Sequence, residues 1–304
     1  MAETVLIAGG SGLIGSFLSP LLRGAGYTVL HLSRKKNLDA EFPAFHWDIK
    51  KGELDMVALE RADYVINLAG AGIADALWTQ ERRKVIVSSR VDGALLFKEK
   101  IQQTDNKPKA YLSASAIGYY GDRGTERLTE ESAPGTGFLA STTQQWENAI
   151  REVAETGVRT AWLRTGIVLS TQGGALQKIL LPFKARIGSY FGDGSQYYSW
   201  IHIEDMARMY LYLINHGALE GAFNATAPHP ETNKELTYKA KAALGKAALV
   251  APVPEAALRL GLGDMADTVM GSSLVIPQRF TELGFEFQYP ELLPALKDLI
   301  ARKI

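Results

Sequence analysis

Residues 4 to 15 read Thr4-Val5-Leu6-Ile7-Ala8-Gly9-Gly10-Ser11-Gly12-Leu13-Ile14-Gly15. An apolar, β-branched run of strand length passes straight into glycines spaced by three, and helix-forming residues follow. Each glycine answers a separate need. Gly9 allows the tight turn, Gly12 lets backbone approach a pyrophosphate, and Gly15 lets the helix pack on the strand. The amides and dipole of a helix starting at Leu13 and Ile14 then face anionic oxygens. The stretch predicts a strand, a phosphate-cradling turn and a helix.

Four further runs share the character of the first: YTVLHL (27–32), DYVINLA (63–69), AYLSAS (110–115) and RTAWLR (159–164). Each is short and nearly continuous in apolar residues, as strands buried on both faces are. Between them, 79–101 and 138–155 carry apolar residues at helical spacing. Strands alternating with helices predict a doubly wound parallel α/β sheet. After residue 170 glycines and prolines become frequent and helical spacing dominates. The expected organisation is a nucleotide-binding domain over 1–170, to which some later segments return, a mainly helical substrate lobe over 171–251 and a small helical domain over 252–304. In that tail, leucines fall at helical spacing with charges opposite.

Composition narrows the function. The 304 residues are 46% apolar, enough for a sizeable core, and the 33 basic and 33 acidic residues cancel. No long-range field favours nucleic acid or an anionic membrane. There is no cysteine, which removes disulfides and thiolate chemistry and fits a reducing compartment. No leader is read at the amino terminus and no run approaches the about 20 apolar residues of a membrane span. The expectation is a cytoplasmic, soluble protein with a small-molecule substrate; a homodimer is one arrangement open to it. No His, Asp or Glu cluster has metal-ligand spacing, so no metal is expected.

A dinucleotide fold places a discriminating residue about 20 positions past its glycines: an acid for a ribose hydroxyl, an arginine for a 2′-phosphate. Here the second strand ends His31-Leu32-Ser33-Arg34-Lys35-Lys36. With no acid there, Ser33 and Arg34 predict a phosphate clamp, hence NADP in preference to NAD. A solvated basic loop is the plain alternative.

In order and spacing the chain resembles the extended short-chain dehydrogenase/reductase superfamily, the NAD(P)-dependent epimerase/dehydratase group. The resemblance rests on Gly9-x-x-Gly12-x-x-Gly15, Asp48, Asn67-Leu68-Ala69-Gly70, Ser113-Ala114-Ser115, Leu163-Arg164-Thr165-Gly166, and the 192–205 stretch. It implies that Asp48 touches adenine, that the backbone of Leu68, Ala69 and Gly70 passes the cofactor, that Arg164 lies in a cofactor-side turn, and that Ser115 hydrogen-bonds a substrate carbonyl. Ser115-Ala116-Ile117-Gly118-Tyr119-Tyr120-Gly121, Ser88-Ser89-Arg90 and the tail are similar to an epimerase-like subfamily. It ends in a small domain of unknown function, and some of its members carry a cell-division-inhibitor label.

One departure limits what the resemblance implies. The superfamily pairs a tyrosine with a lysine four residues later on the helix after the fifth strand. The cation helps pull the phenol's pKa from about 10 toward neutrality. Aligned on Glu147, that helix holds Leu139 and Thr143 instead. Tyr119 or Tyr120 is expected to supply the acid. Arg90, where the superfamily commonly has asparagine, is the preferred replacement cation over Lys84, which cannot share its helical face. His202 reads as a helix cap, and Tyr197, Tyr198 and Trp200 as core or as a substrate wall. The expected function is an NADP(H)-binding, epimerase-like oxidoreductase acting on a small carbonyl or sugar-like substrate. The alternative is a non-catalytic NADP(H)-binding regulator.

Overall fold

A computed structural model describes residues 2–304. The first half alternates as its hydrophobic runs predict: β1 (Thr4–Ala8), α1 (Leu13–Gly24), β2 (Thr28–Ser33), β3 (Ala44–Asp48), β4 (Glu53–Leu54), α2 (Met56–Glu60), β5 (Tyr64–Asn67), α3 (Gln80–Gln103), β6 (Ala110–Ala116), a 3-10 turn over Ile117–Tyr120, β7 (Arg127–Leu128), α4 (Phe138–Ala154) and β8 (Arg159–Thr165). Then follow β9 (Ile167–Ser170), α5 (Gly174–Leu180), β10 (Ile187–Phe191), β11 (Tyr197–Tyr198), β12 (Trp200–His202), α6 (Ile203–Asn215), β13 (Gly221–Ala225), β14 (Glu231–Thr232) and α7 (Asn233–Leu244). The chain closes with β15 (Leu249–Val253), α8 (Glu255–Leu262), α9 (Ala266–Met270), β16 (Leu274–Val275), α10 (Gln278–Glu282) and α11 (Leu292–Arg302).

Eight strands form one sheet in the order β13-β8-β6-β5-β1-β2-β3-β4, parallel throughout except for β4 against β3. Strand order reverses between β1 and β5, so the loops leaving their carboxyl ends part there and open a crevice. Alternation along β1 sends Leu6 and Ala8 into a core with α2, α3 and α4, while Val5 and Ile7 join α1, α6 and α10 on the opposite face. Both faces are thereby covered, which is why the strands read as unbroken apolar runs.

A third core gathers Leu169, Leu176, Phe183, Trp200, Leu236 and Leu296 from the lobe and from α11. The tail is therefore shared out: Phe280 and Phe285 pack on the main sheet's face, and α11 packs with α7 in the lobe. No helix among the described residues is long and apolar enough to cross a membrane.

Candidate active site

The crevice begins at the glycine turn. Gly9 takes a φ of 79°, and a Cβ there would stand 3.0 Å from the carbonyl carbon of Leu68, so the turn lies directly against the loop after β5. A Cβ on Gly15 would meet the Gly10 carbonyl oxygen at 2.4 Å, so only glycine lets α1 start this close to the turn. Gly12 is the N-cap, supplies no side-chain acceptor, and no acid stands in the first turn. The amides of Leu13, Ile14 and Gly15 are left facing outward without a side-chain partner. The side chains of Leu13 and Ile14 turn away and pack against the lobe core, so their contribution to a bound phosphate is through backbone. An anion fits this cradle by geometry and dipole alike.

Around the crevice, β2 delivers Ser33, whose Oγ accepts a hydrogen bond from Lys35 N–H at 3.3 Å. Arg34 is exposed and makes no ion pair with a described residue, whereas Lys36 is held by Asp55 at 2.9 Å. Asp48 ends β3 and accepts from Lys50 N–H at 3.0 Å, leaving its second oxygen uncommitted. From β5, Asn67 fixes the next loop: its Oδ1 accepts from Ala69 N–H at 3.1 Å and its Nδ2 donates to the Tyr111 hydroxyl at 2.9 Å. Leu68, Ala69 and Gly70 thus run past the glycine turn in a defined path.

Arg90 reaches that loop from α3. Its Nη1 donates to Ala71 O at 3.0 Å and to Ile86 O at 2.9 Å, and the guanidinium lies over Trp146, 5.2 Å from the ring centroid. A Cβ on Gly70 would stand 3.3 Å from Arg90 Cζ. Among the described residues no carboxylate pairs with it, and burial, with Arg82 adding repulsion, pushes its pKa down to about 10. Lys84 faces elsewhere, into a shallow groove of about 410 Å³ with Val87, Val91 and Phe138.

The end of β6 holds a buried polar network that the sequence reading did not find. Glu147, fully buried on α4, accepts from Ser115 Oγ at 2.8 Å and from Arg164 through Nε at 2.8 Å and Nη2 at 2.9 Å. Arg164 Nη1 donates to the Tyr120 hydroxyl at 2.9 Å and to Glu130 O at 3.1 Å, and Tyr120 donates to Asn224 Oδ1 at 2.7 Å.

Three expectations are corrected here. Tyr120 has no exposed surface, burial raises its pKa to about 12, and its proton is held by Asn224; it cannot act as an acid toward a ligand. Arg164, 2% exposed, has its guanidinium taken up inside the protein by Glu147, Tyr120 and Glu130 O. Ser115, 3% exposed, gives its only proton to Glu147 and has none left for a substrate carbonyl.

Tyr119 stands apart from its neighbour. It is half-buried, its hydroxyl makes no hydrogen bond with a described residue, and its ring lies on the Arg164 guanidinium, 3.6 Å from centroid to Cζ. Leu139 and Thr143 lie against the preceding residue of the same turn: a Cβ on Gly118 would meet Leu139 Cβ at 3.3 Å and Thr143 Oγ1 at 3.6 Å. Thr143 Oγ1 donates to Leu139 O at 2.8 Å, so α4 presents no titratable group at this turn.

The remaining candidates make contacts within the fold. His202 Nδ1 accepts from Glu204 N–H at 3.1 Å and caps α6, its ring stacked on Tyr289 at 3.7 Å. Trp200 donates to His229 O at 3.0 Å and Tyr198 to Val269 O at 2.6 Å, both from within the lobe core.

A parallel sheet with a glycine turn at its switch point defines a Rossmann-type α/β protein. The chain belongs to the NAD dependent epimerase/dehydratase family, whose model matches residues 5–225; a second model, described as a domain of unknown function (DUF1731), matches 253–299. The mouse epimerase family protein SDR39U1 is 34% identical over 301 residues, 98% of this chain and 99% of the relative. Epimerase family protein Mb2239 of Mycobacterium bovis is 35% identical over 298 residues, 97% of each. Among solved structures, human SDR39U1 (isoform 2) with NADPH superposes with a TM-score of 0.88 at 31% identity, covering 98% of this chain and 99% of that one. A nucleoside-diphosphate sugar epimerase from Corynebacterium glutamicum gives a TM-score of 0.80 at 31% identity, over 98% of this chain and 58% of that one.

Proposed function

We propose that this chain is an NADP(H)-binding oxidoreductase of the epimerase type, acting on a small carbonyl or sugar-like substrate without a Tyr-x-x-x-Lys pair. The observation that carries the cofactor is the uncapped start of α1 in the crevice with an unpaired Arg34 at the end of β2. The amides of Leu13, Ile14 and Gly15 hold the pyrophosphate, Ser33 and Arg34 the 2′-phosphate, and Asp48 the adenosine end. The NADPH in the human relative's structure supports this choice, and the Corynebacterium relative's description supports a sugar-like substrate.

When bound, the nicotinamide gives or takes a hydride. The chain's own part is the matching proton, held at the Tyr119 hydroxyl, the one phenol of the turn that no described residue claims. Arg164 beneath its ring, 3.6 Å from the centroid, holds the phenol in place. Arg90 supplies a second, desolvated cation beside Gly70 and Ala71. Ser115 acts through Glu147, keeping α4 against β6 and β8.

The test is NADPH oxidation followed at 340 nm over a panel of small aldehydes, ketones and nucleotide-sugar carbonyls, with wild type and Tyr119→Phe. Turnover by wild type that Tyr119→Phe removes supports the assignment; equal turnover by both overturns it. Leu139 and Thr143 facing Gly118 favour a second reading, a cofactor-binding regulator. It predicts bound NADPH that no carbonyl oxidises.

A further inference from the structure

The turn carrying Tyr119 is held by residues from the other end of the chain. Ser273 Oγ donates to Gly121 O at 2.8 Å and Ser272 Oγ to Gly124 O at 2.6 Å. Ser272 N–H donates to Asp122 Oδ1 at 3.2 Å, and Arg123 N–H donates to Ser272 O at 3.0 Å. Beyond the two serines, β16 pairs in parallel with β7, Val275 beside Leu128. Val275, Tyr120 and Leu128 form a small core of their own, separate from the three larger ones, with Tyr119 and Ile117 packed against it.

The segment being held needs such support. Gly121 and Gly124 take φ values of 65° and 57°, so the chain just past the tyrosines has glycine's conformational freedom at two of four positions. On the opposite side its neighbour is the 129–137 loop, through Gly135 N–H donating to Tyr119 O at 2.9 Å. The clamp is itself anchored: buried Ser199 donates to Ser273 O at 2.7 Å and accepts from Val275 N–H at 2.8 Å. A second bond from the tail, Asp264 to Arg83 at 2.6 Å, reaches the Phe138 ring that begins α4, over which Arg83 lies at 4.6 Å.

We infer that residues 272–275 of the carboxyl-terminal segment are positioning residues for Tyr119, and that the segment of undescribed role is in this way part of the active site. The inference rests on the assignment of Tyr119 made above. Without the clamp, the phenol keeps Arg164 on one face but loses the strand that fixes its turn.

Ser272→Ala/Ser273→Ala in the full chain tests this, read by hydrogen exchange of peptides covering 117–124. Protection there is expected to fall about tenfold or more, while peptides over α1 and the Kd for NADPH keep wild-type values. For the carbonyl that wild type turns over, kcat falls with KM for NADPH unchanged, and Ser273→Thr, which keeps the hydroxyl, retains protection. Unchanged exchange at 117–124 in the double variant, or a loss spread evenly over the chain, overturns the inference. If wild type binds no NADPH, the proposed function fails while the exchange result still decides the clamp.

Discussion

Arg164 lies flat against Tyr119, 3.6 Å from guanidinium carbon to ring centroid, while the same guanidinium donates edge-on to the hydroxyl of Tyr120 at 2.9 Å. One cation therefore separates two adjacent phenols into different tasks. Tyr120 closes a buried network, and Tyr119 is left with a hydroxyl bonded to no described residue.

Phenylalanine at the two positions should have unequal effects on stability. Tyr120→Phe removes the bond to Asn224 Oδ1 and leaves Arg164 Nη1 with one partner fewer in a buried site, costing about 1–3 kcal/mol. Tyr119→Phe removes a hydroxyl bonded to no described residue, with a change within about 0.5 kcal/mol. Chemical denaturation of both variants gives the ordering; equal losses contradict the separation.

Glu147 is the centre of the buried network. Glu147→Ala leaves Arg164 charged and unpaired inside the protein, which is expected to cost about 3–5 kcal/mol. Replacing Glu147 and Arg164 together by apolar residues of similar volume should recover a large part of that loss, because the stranded charge goes with its partner. A double-mutant cycle by denaturation measures the coupling; simple additivity would contradict a dominant Glu147–Arg164 pair.

Burial lowers the pKa of His202, with Glu204, Asp298 and Asp205 opposing it less strongly, and burial alone lowers that of His31. The fold disfavours the protonated form of both, so the unfolded chain binds more protons once pH falls below the ordinary histidine value near 6.5. Stability should be flat above that value and decline as pH drops from about 6.5 toward 5, by at most about 1.4 kcal/mol per pH unit for each histidine. The carboxylates Glu204 and Asp298, whose pKa values are lowered, lose their contribution only at lower pH. His202→Asn keeps an acceptor for Glu204 N–H and should shallow the slope between pH 6.5 and 5; an unchanged slope would exclude His202 as its source.

The parts of the fold readable in the sequence are those made by local pattern. β1, β2, β5, β6 and β8 are buried on both faces and show as apolar runs, and the glycine turn is contiguous. The network at β6 is different in kind. Glu147 and Arg164 stand 17 residues apart and meet only because β8 lies beside β6 in a register that sets Arg164 against Ser115. A charged residue inside the apolar run RTAWLR, and another among the buried positions of α4, were the available signals. Which of Tyr119 and Tyr120 points inward depends on a 3-10 turn closed by Gly121, and no periodicity records that. β7 and β16 are two residues each and join distant parts of the chain, so neither leaves a readable alternation.

Selection of NADP(H) by the glycine turn and Arg34 together is tested most directly by parallel fluorescence titrations of wild type and Arg34→Ala with NADPH and NADH. NADPH should bind wild type more tightly than NADH. Arg34→Ala should weaken NADPH by about 10- to 100-fold, the worth of a charge-assisted contact, and leave NADH nearly unchanged. Equal affinities for the two nucleotides in wild type, or an Arg34→Ala protein that binds NADPH as before, would contradict it.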